Sequence, residues 1–64
     1  MEGKQLLAMD SYILLSLVNM KLRDEFANLK ELCGTYEINE KEIKDKLKLV
    51  GYEYNESTNQ FISL

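Results

Sequence analysis

Apolar and polar positions between residues 10 and 24 follow a helical pattern with an unusually wide apolar side. At about 100° per residue, the polar residues collect in one narrow stripe, while the apolar residues spread over more than half of the circumference. The stripe consists of Tyr12, Ser16, Asn19 and Arg23. We therefore predict a first helix over about residues 10–24, capped by Asp10 or Ser11. So wide an apolar arc indicates either that the domain covers this helix on several sides or that part of the arc contacts another chain.

The second helix is predicted by a capping box. Asn28 and Glu31 stand three residues apart, so that the Asn28 side chain can accept from the first turn while the Glu31 carboxylate reaches back. Apolar residues then recur at helical intervals, which predicts a helix over about residues 29–36. Because Gly34 weakens its middle by about 1 kcal/mol relative to alanine, we expect this helix to be short.

The start of the third helix carries the clearest local signal. Asn39 and Glu42 form a second capping box, and Ile38 and Ile43 take the two positions of a hydrophobic staple. Two independent motifs thus predict the same boundary. They predict a turn after the second helix, followed by a third helix over about residues 40–50.

The C-terminal segment predicts a β-hairpin over about residues 52–63. Gly51 stands where a left-handed residue ends a helix. After it, two short runs rich in aromatic and β-branched residues flank a polar run, and Tyr54 and Phe61 are expected to pack together. The predicted fold class is therefore mainly α, a three-helix domain of helix-turn-helix type with a C-terminal, wing-like β-hairpin.

Composition limits how such a chain can be stabilised. Its 64 residues are near the lower size at which one domain buries enough surface to fold, and 45% of them are hydrophobic. With one cysteine, Cys33, and no histidine, neither an internal disulfide nor a Cys/His metal site is available, and we expect no cofactor. Small domains without such cross-links often assemble, which suggests a homodimer.

Catalysis by this chain is not expected. Cys33 has no histidine to act as its base, and its position on the inner side of the second helix is typical of a small core residue. The absence of histidine also removes most acid–base schemes near neutral pH, and no glycine-rich phosphate loop is present. We therefore expect a non-enzymatic protein without a small-molecule substrate.

The apolar run Tyr12–Val18 is too short to be a membrane anchor, because a span needs roughly 20 apolar residues. Lys4 is the only basic residue ahead of it, and Asp10 interrupts the approach, so the pattern of a signal peptide is missing. The expectation from these features is a cytoplasmic protein that does not contact membranes.

A set of apolar and small positions resembles the helix-turn-helix pattern of bacterial regulators. The set consists of Leu32, Cys33, Tyr36, Ile38, Ile43 and Leu47. In that pattern a small residue lets two helices cross closely, and a hydrophobic residue fills the turn between them. A hairpin directly after the third helix is similar to the wing of winged-helix proteins. The chain departs from the pattern at Glu37, where glycine is usual, so the backbone geometry of this turn is left open.

Three lysines form a candidate surface for nucleic acid. Lys41, Lys44 and Lys48 fall within about 60° of one another on the third helix, on the side that a recognition helix turns toward a major groove. However, acidic residues lie among them, arginine is absent, and the chain carries a net charge of −3. An ordinary solvated helix face is therefore the interpretation that we favour.

The polar stripe of the first helix is a second candidate site. Asn19 and Arg23 lie one turn apart on an otherwise apolar helix, where polar groups need partners. In the structural interpretation, which we favour, Arg23 pairs with a carboxylate and bonds to backbone at the end of the helix. In the functional interpretation, the stripe binds a partner peptide or an anionic group. Its residues are Tyr12, Ser16, Asn19 and Arg23.

The apolar arc of the same helix is a candidate for self-association, through Ile13, Leu15 and Leu17. Our leading hypothesis is a small non-enzymatic interaction module that forms a homo-oligomer or binds another protein through the first helix. The alternative is a small DNA-binding regulator that uses the lysines of the third helix.

The chain as a whole also resembles a family of short bacterial proteins catalogued as domain of unknown function 4250. The resemblance rests on the segments Asp10–Asp24, Leu29–Cys33, Gly51–Tyr54 and Asn59–Phe61. It implies a bacterial, cytoplasmic protein. Since the family has no assigned activity, it implies no catalytic or binding residue.

Overall fold

Four helices and one β-hairpin make up the fold. The computed structural model describes residues 3–64. Its elements are α1 (Gly3–Ala8), α2 (Ser11–Asp24), α3 (Leu29–Tyr36), α4 (Glu40–Lys48), β1 (Tyr52–Asn55) and β2 (Gln60–Ser63). The mainly helical class with a C-terminal hairpin is confirmed. Within residues 3–64, no helix combines the length and the apolar character needed to cross a membrane.

The predicted first helix corresponds to α2. As expected, Asp10 caps it: one carboxylate oxygen accepts from the backbone N–H of Tyr12 at 3.0 Å and from that of Ile13 at 3.2 Å. These bonds satisfy two of the amide groups that a helix N-terminus leaves without an internal partner. The boundary was predictable because every group involved is local in sequence.

Helix α1 precedes α2 and makes the fold four-helical rather than three-helical. It has only six residues, too few for a periodic pattern to predict it. Leu6 is buried in the core, and Gly3 lies against the end of α3. A Cβ on Gly3 would lie 2.6 Å from the carbonyl oxygen of Tyr36, so this close contact requires glycine.

Helix α3 has the predicted bounds and a modified capping box. The Asn28 side chain accepts from the backbone N–H of Glu31 at 2.9 Å. The Glu31 carboxylate reaches one residue further than predicted and accepts from the N–H of Ala27 at 3.1 Å. The two side chains still satisfy backbone donors on both sides of the helix start, which fixes where α3 begins.

A turn of three residues separates α3 from α4, as the capping signals predicted. Glu37 adopts a left-handed conformation with φ of 55°, which settles the geometry that the sequence left open. Asn39 caps α4 by accepting from the N–H of Lys41 at 2.9 Å. Helix α4 ends at Lys48, two residues before the predicted end, because a turn leads there into the left-handed Gly51 with φ of 86°.

The two strands pair antiparallel in the order β1-β2. Tyr54 lies opposite Phe61, and their ring centroids are 5.5 Å apart, which confirms the predicted aromatic pair. Phe61 is buried in the single core that the helices also share. The core consists of Leu6, Leu14, Leu15, Val18, Leu22, Leu29, Leu32, Cys33, Ile38, Ile43, Leu47 and Phe61.

Candidate functional site

Helix α2 has an apolar side that its own domain leaves exposed. The exposed fractions of Tyr12, Ile13 and Met20 are 59%, 61% and 45%. At about 100° per residue, these side chains fall with Ser16 and Leu17 within an arc of about 140°. We call these five residues the outward face of α2. Hydrophobic residues grouped on one exposed helix side are typical of a contact surface for another molecule.

The three residues predicted for self-association occupy different environments. Ile13 is exposed, and Leu17 is partly buried against the core. Leu15 has only 9% of its surface exposed and is a core residue, so it does not belong to the outward face. Met20 was missed by the sequence analysis, because a wide apolar arc does not reveal which part of it the other elements cover.

The predicted polar stripe of α2 does not form one site. Tyr12 and Ser16 are exposed. Arg23 donates to both carboxylate oxygens of Asp24, each bond being 3.0 Å long, and this neighbour lowers the pKa of the Asp24 carboxyl group. The pair is exposed, so it stabilises the fold little. Asn19, by contrast, turns toward the hairpin.

Asn19 binds the strand β2 as a neighbouring strand would. Its side-chain amide donates to the carbonyl oxygen of Phe61 at 3.0 Å, and its side-chain oxygen accepts from the Phe61 N–H at 2.7 Å. Both backbone groups of Phe61 are therefore satisfied on the side away from β1. A further strand can pair with a strand edge whose backbone groups are free. Asn19 prevents such pairing at Phe61, because it bonds to both backbone groups of this residue.

Asn59, Tyr54 and Gln60 extend this contact along the hairpin. The Asn59 side chain donates to the carbonyl oxygens of Leu22 and Phe26, both at 2.9 Å. The Tyr54 hydroxyl donates to the Asn59 side-chain oxygen at 2.7 Å and accepts from the backbone N–H at the start of α3 at 3.1 Å. Gln60 donates to the carbonyl oxygen of Asn19 at 3.0 Å. We call Asn19, Tyr54, Asn59 and Gln60 the seam.

The seam supplies partners to backbone groups that helices cannot satisfy internally. Carbonyl groups in the last turn of a helix and amide groups in its first turn lack internal partners. Asn59 donates to a carbonyl group in the last turn of α2, and Tyr54 accepts from an amide group in the first turn of α3. The seam could not be predicted from the sequence, since its members bond to groups up to 42 residues away and leave no local signal.

The lysines of α4 are exposed but share their side of the helix with acidic residues. Lys41 lies 3.7 Å from Asp45, and Lys44 lies 3.2 Å from Glu40. These ion pairs offset much of the positive charge that a nucleic-acid backbone would contact. Contact of Lys41, Lys44 and Lys48 with nucleic acid stays a prediction, and this arrangement weighs against it.

A groove of about 250 Å³ lies between α4 and β1. Its walls carry both signs of charge and two aromatic rings, one of which has the Lys44 ammonium 6.0 Å from its centroid. The lining residues are Lys44, Asp45, Lys48, Tyr52, Glu53 and Tyr54. Glu53 and Asp45 disfavour an anion, while the lysines disfavour a cation, so the charges of the groove favour neither sign of ion.

Cys33 is buried in the core with 4% of its surface exposed. Burial raises the pKa of its thiol to about 11; the charge of Glu40 adds to this shift, and that of Lys44 opposes it. The reactive thiolate is therefore scarce at neutral pH. Among residues 3–64, no three Cys, Asp or Glu side chains are grouped so that they could hold a metal ion.

The comparisons with known proteins place this architecture in a family without an assigned activity. The sequence model described as "Domain of unknown function (DUF4250)" matches residues 8–61. No curated protein and no solved structure matches the chain. The match includes all of α2, with its outward face, and all four residues of the seam. The chain belongs to this family, the domain of unknown function DUF4250.

Proposed function

We propose that this domain is a non-enzymatic interaction module whose outward face on α2 binds a second copy of the same chain. The observation that carries the proposal is the grouping of Tyr12, Ile13 and Met20, each at least 45% exposed, on one side of a single helix. Burying such side chains against another surface releases water and stabilises the complex.

The charge distribution favours a second copy as the occupant. Two chains with a net charge of −3 repel each other, so self-contact is most favourable where the surface is neutral. The ten residues from Ser11 to Met20 carry no charge. The outward face thus lies on an uncharged segment, and two such faces can meet without placing a charge in an apolar contact.

The size of this face sets the strength of the expected complex. Helix α2 has 14 residues, a length of about 21 Å. Two helices of this length bury clearly less than the roughly 1,600 Å² of a standard stable interface. We therefore expect a reversible dimer with a Kd in the micromolar range or weaker, which forms at high local concentration.

Sedimentation equilibrium over a range from about 10 μM to about 1 mM tests the proposal. We expect a monomer–dimer equilibrium in the natural chain and its loss in Ile13→Glu and Met20→Glu, since either change places a charge in the contact. Leu49→Glu is the matched control, because Leu49 is 87% exposed on another part of the surface. Leu15→Glu is unsuitable, as it would disrupt the core.

Two outcomes would overturn the proposal. The first is a monomer throughout the concentration range. The second is a dimer that persists in Ile13→Glu and Met20→Glu, which would place the contact elsewhere. Far-ultraviolet circular dichroism of each variant establishes that any loss of dimer is not a loss of folding.

A further inference from the structure

We infer that two copies of α2 pack antiparallel, with a two-fold axis passing between Ser16 and Leu17. This inference rests on the proposed self-association and specifies its geometry. Its basis is that four of the five residues of the outward face are arranged symmetrically about that point, while Tyr12 has no counterpart in the face. Ile13 and Met20 lie at equal distances from it in opposite directions along the helix.

The symmetric spacing makes the face complementary to itself in the antiparallel direction. With the axis between Ser16 and Leu17, Ile13 of one copy lies at the level of the partner's Met20, and Met20 at the level of the partner's Ile13. Contacts related by a two-fold axis must be reciprocal in this way. Ser16, exposed and small, lies at the centre, where the helix axes approach most closely.

The helix dipoles favour the antiparallel direction over the parallel one. A parallel pair places like helix ends side by side, whereas an antiparallel pair places each positive N-terminal end beside the partner's negative C-terminal end. The charged side chains near the C-terminal end of α2 add no preference, because Lys21 is paired with Glu25 and Arg23 with Asp24 in the same chain.

Disulfide cross-linking distinguishes these arrangements. In the antiparallel pair the two Ser16 positions differ by about 1.5 Å along the helix axis, and the two Ile13 positions differ by about 10 Å. A disulfide needs Cα atoms roughly 4.4 to 6.8 Å apart. We therefore expect Ser16→Cys to cross-link with itself, and Ile13→Cys to cross-link with Met20→Cys but not with itself.

The experiment uses oxidised glutathione, which takes two electrons from a thiol pair and is itself reduced to two thiols. Ile13→Cys and Met20→Cys are oxidised separately and after mixing, one of them carrying a mass tag, and the products are separated by gel and weighed by mass spectrometry. The natural chain is the control, because its Cys33 is buried and should form no dimer.

Each outcome has a distinct meaning. Cross-linking of Ser16→Cys, together with preferential formation of the mixed Ile13→Cys and Met20→Cys product, supports the antiparallel register. Efficient cross-linking of Ile13→Cys with itself would overturn it in favour of a parallel pair. A dimer in sedimentation without any cross-link at these positions would overturn it as well, whereas a monomer in sedimentation would overturn the proposed function first.

Discussion

The two sides of α2 reverse the usual distribution of polar and apolar side chains. Toward the hairpin, α2 presents the polar Asn19, whose amide is bonded to both backbone groups of Phe61. Toward solvent, it presents Tyr12, Ile13 and Met20. A polar side chain on an apolar helix can thus form a structural bond within the domain, while apolar side chains on the neighbouring part of the same helix stay exposed to solvent.

The largest effect on stability is expected from removing the Asn59 side chain, which bonds the hairpin to the end of α2 and the segment after it. Asn59→Gly removes three hydrogen bonds, two of them to backbone carbonyl groups, and should lower the free energy of unfolding by about 2 to 3 kcal/mol. Asn59→Ala should lower it by about 1 kcal/mol more, because Asn59 has a positive φ of 54°. Urea unfolding followed by circular dichroism measures both. Equal stability of Asn59→Gly and the natural chain would show that the seam does not hold the hairpin.

The sequence predicted those parts of the fold in which bonding groups are neighbours along the chain. Asp10, Asn28 and Asn39 all cap the helices that follow them, because a cap acts on amide groups two or three residues away. The seam could not be predicted, because Asn19 and Asn59 meet partners 33 to 42 residues distant. The outward face was predicted only in part, since burial of Leu15 depends on where the hairpin and the other helices pack.

An intermediate effect on the free energy of unfolding is expected when a side chain of α2 that faces the hairpin and one that faces solvent are truncated separately. Asn19→Ala leaves the N–H and the carbonyl group of Phe61 without their partner and should lower the free energy of unfolding by about 1 to 2 kcal/mol. Ile13→Ala is the matched control on the exposed side and should change it by less than about 0.5 kcal/mol in dilute solution. Urea unfolding at about 5 μM protein compares them. A larger loss for Ile13→Ala than for Asn19→Ala would reverse the assignment of the two sides.

The smallest effects on the free energy of unfolding are expected at Gly34 in α3 and at Glu37 in the turn after it, where only the local backbone preference changes. A Cβ on Gly34 meets nothing within 4 Å, so Gly34→Ala should raise the free energy of unfolding by about 0.5 to 1 kcal/mol. Glu37 has a left-handed backbone that glycine adopts without strain, so Glu37→Gly should raise it by up to about 1 kcal/mol. Thermal unfolding of each variant measures the change.

The double variant decides whether these two effects are local. Gly34 stands where a helix favours a side chain, and Glu37 stands where a left-handed turn favours glycine. If each acts only on its own backbone, the gains add, and neither variant alters the monomer–dimer equilibrium that we propose, because both positions lie outside the outward face. A gain in the double variant well below the sum would mean that the turn relaxes as one unit. A loss of the proposed dimer in either variant would mean that the end of α3 or the turn after it takes part in self-association, and α2 would then not be the whole contact surface.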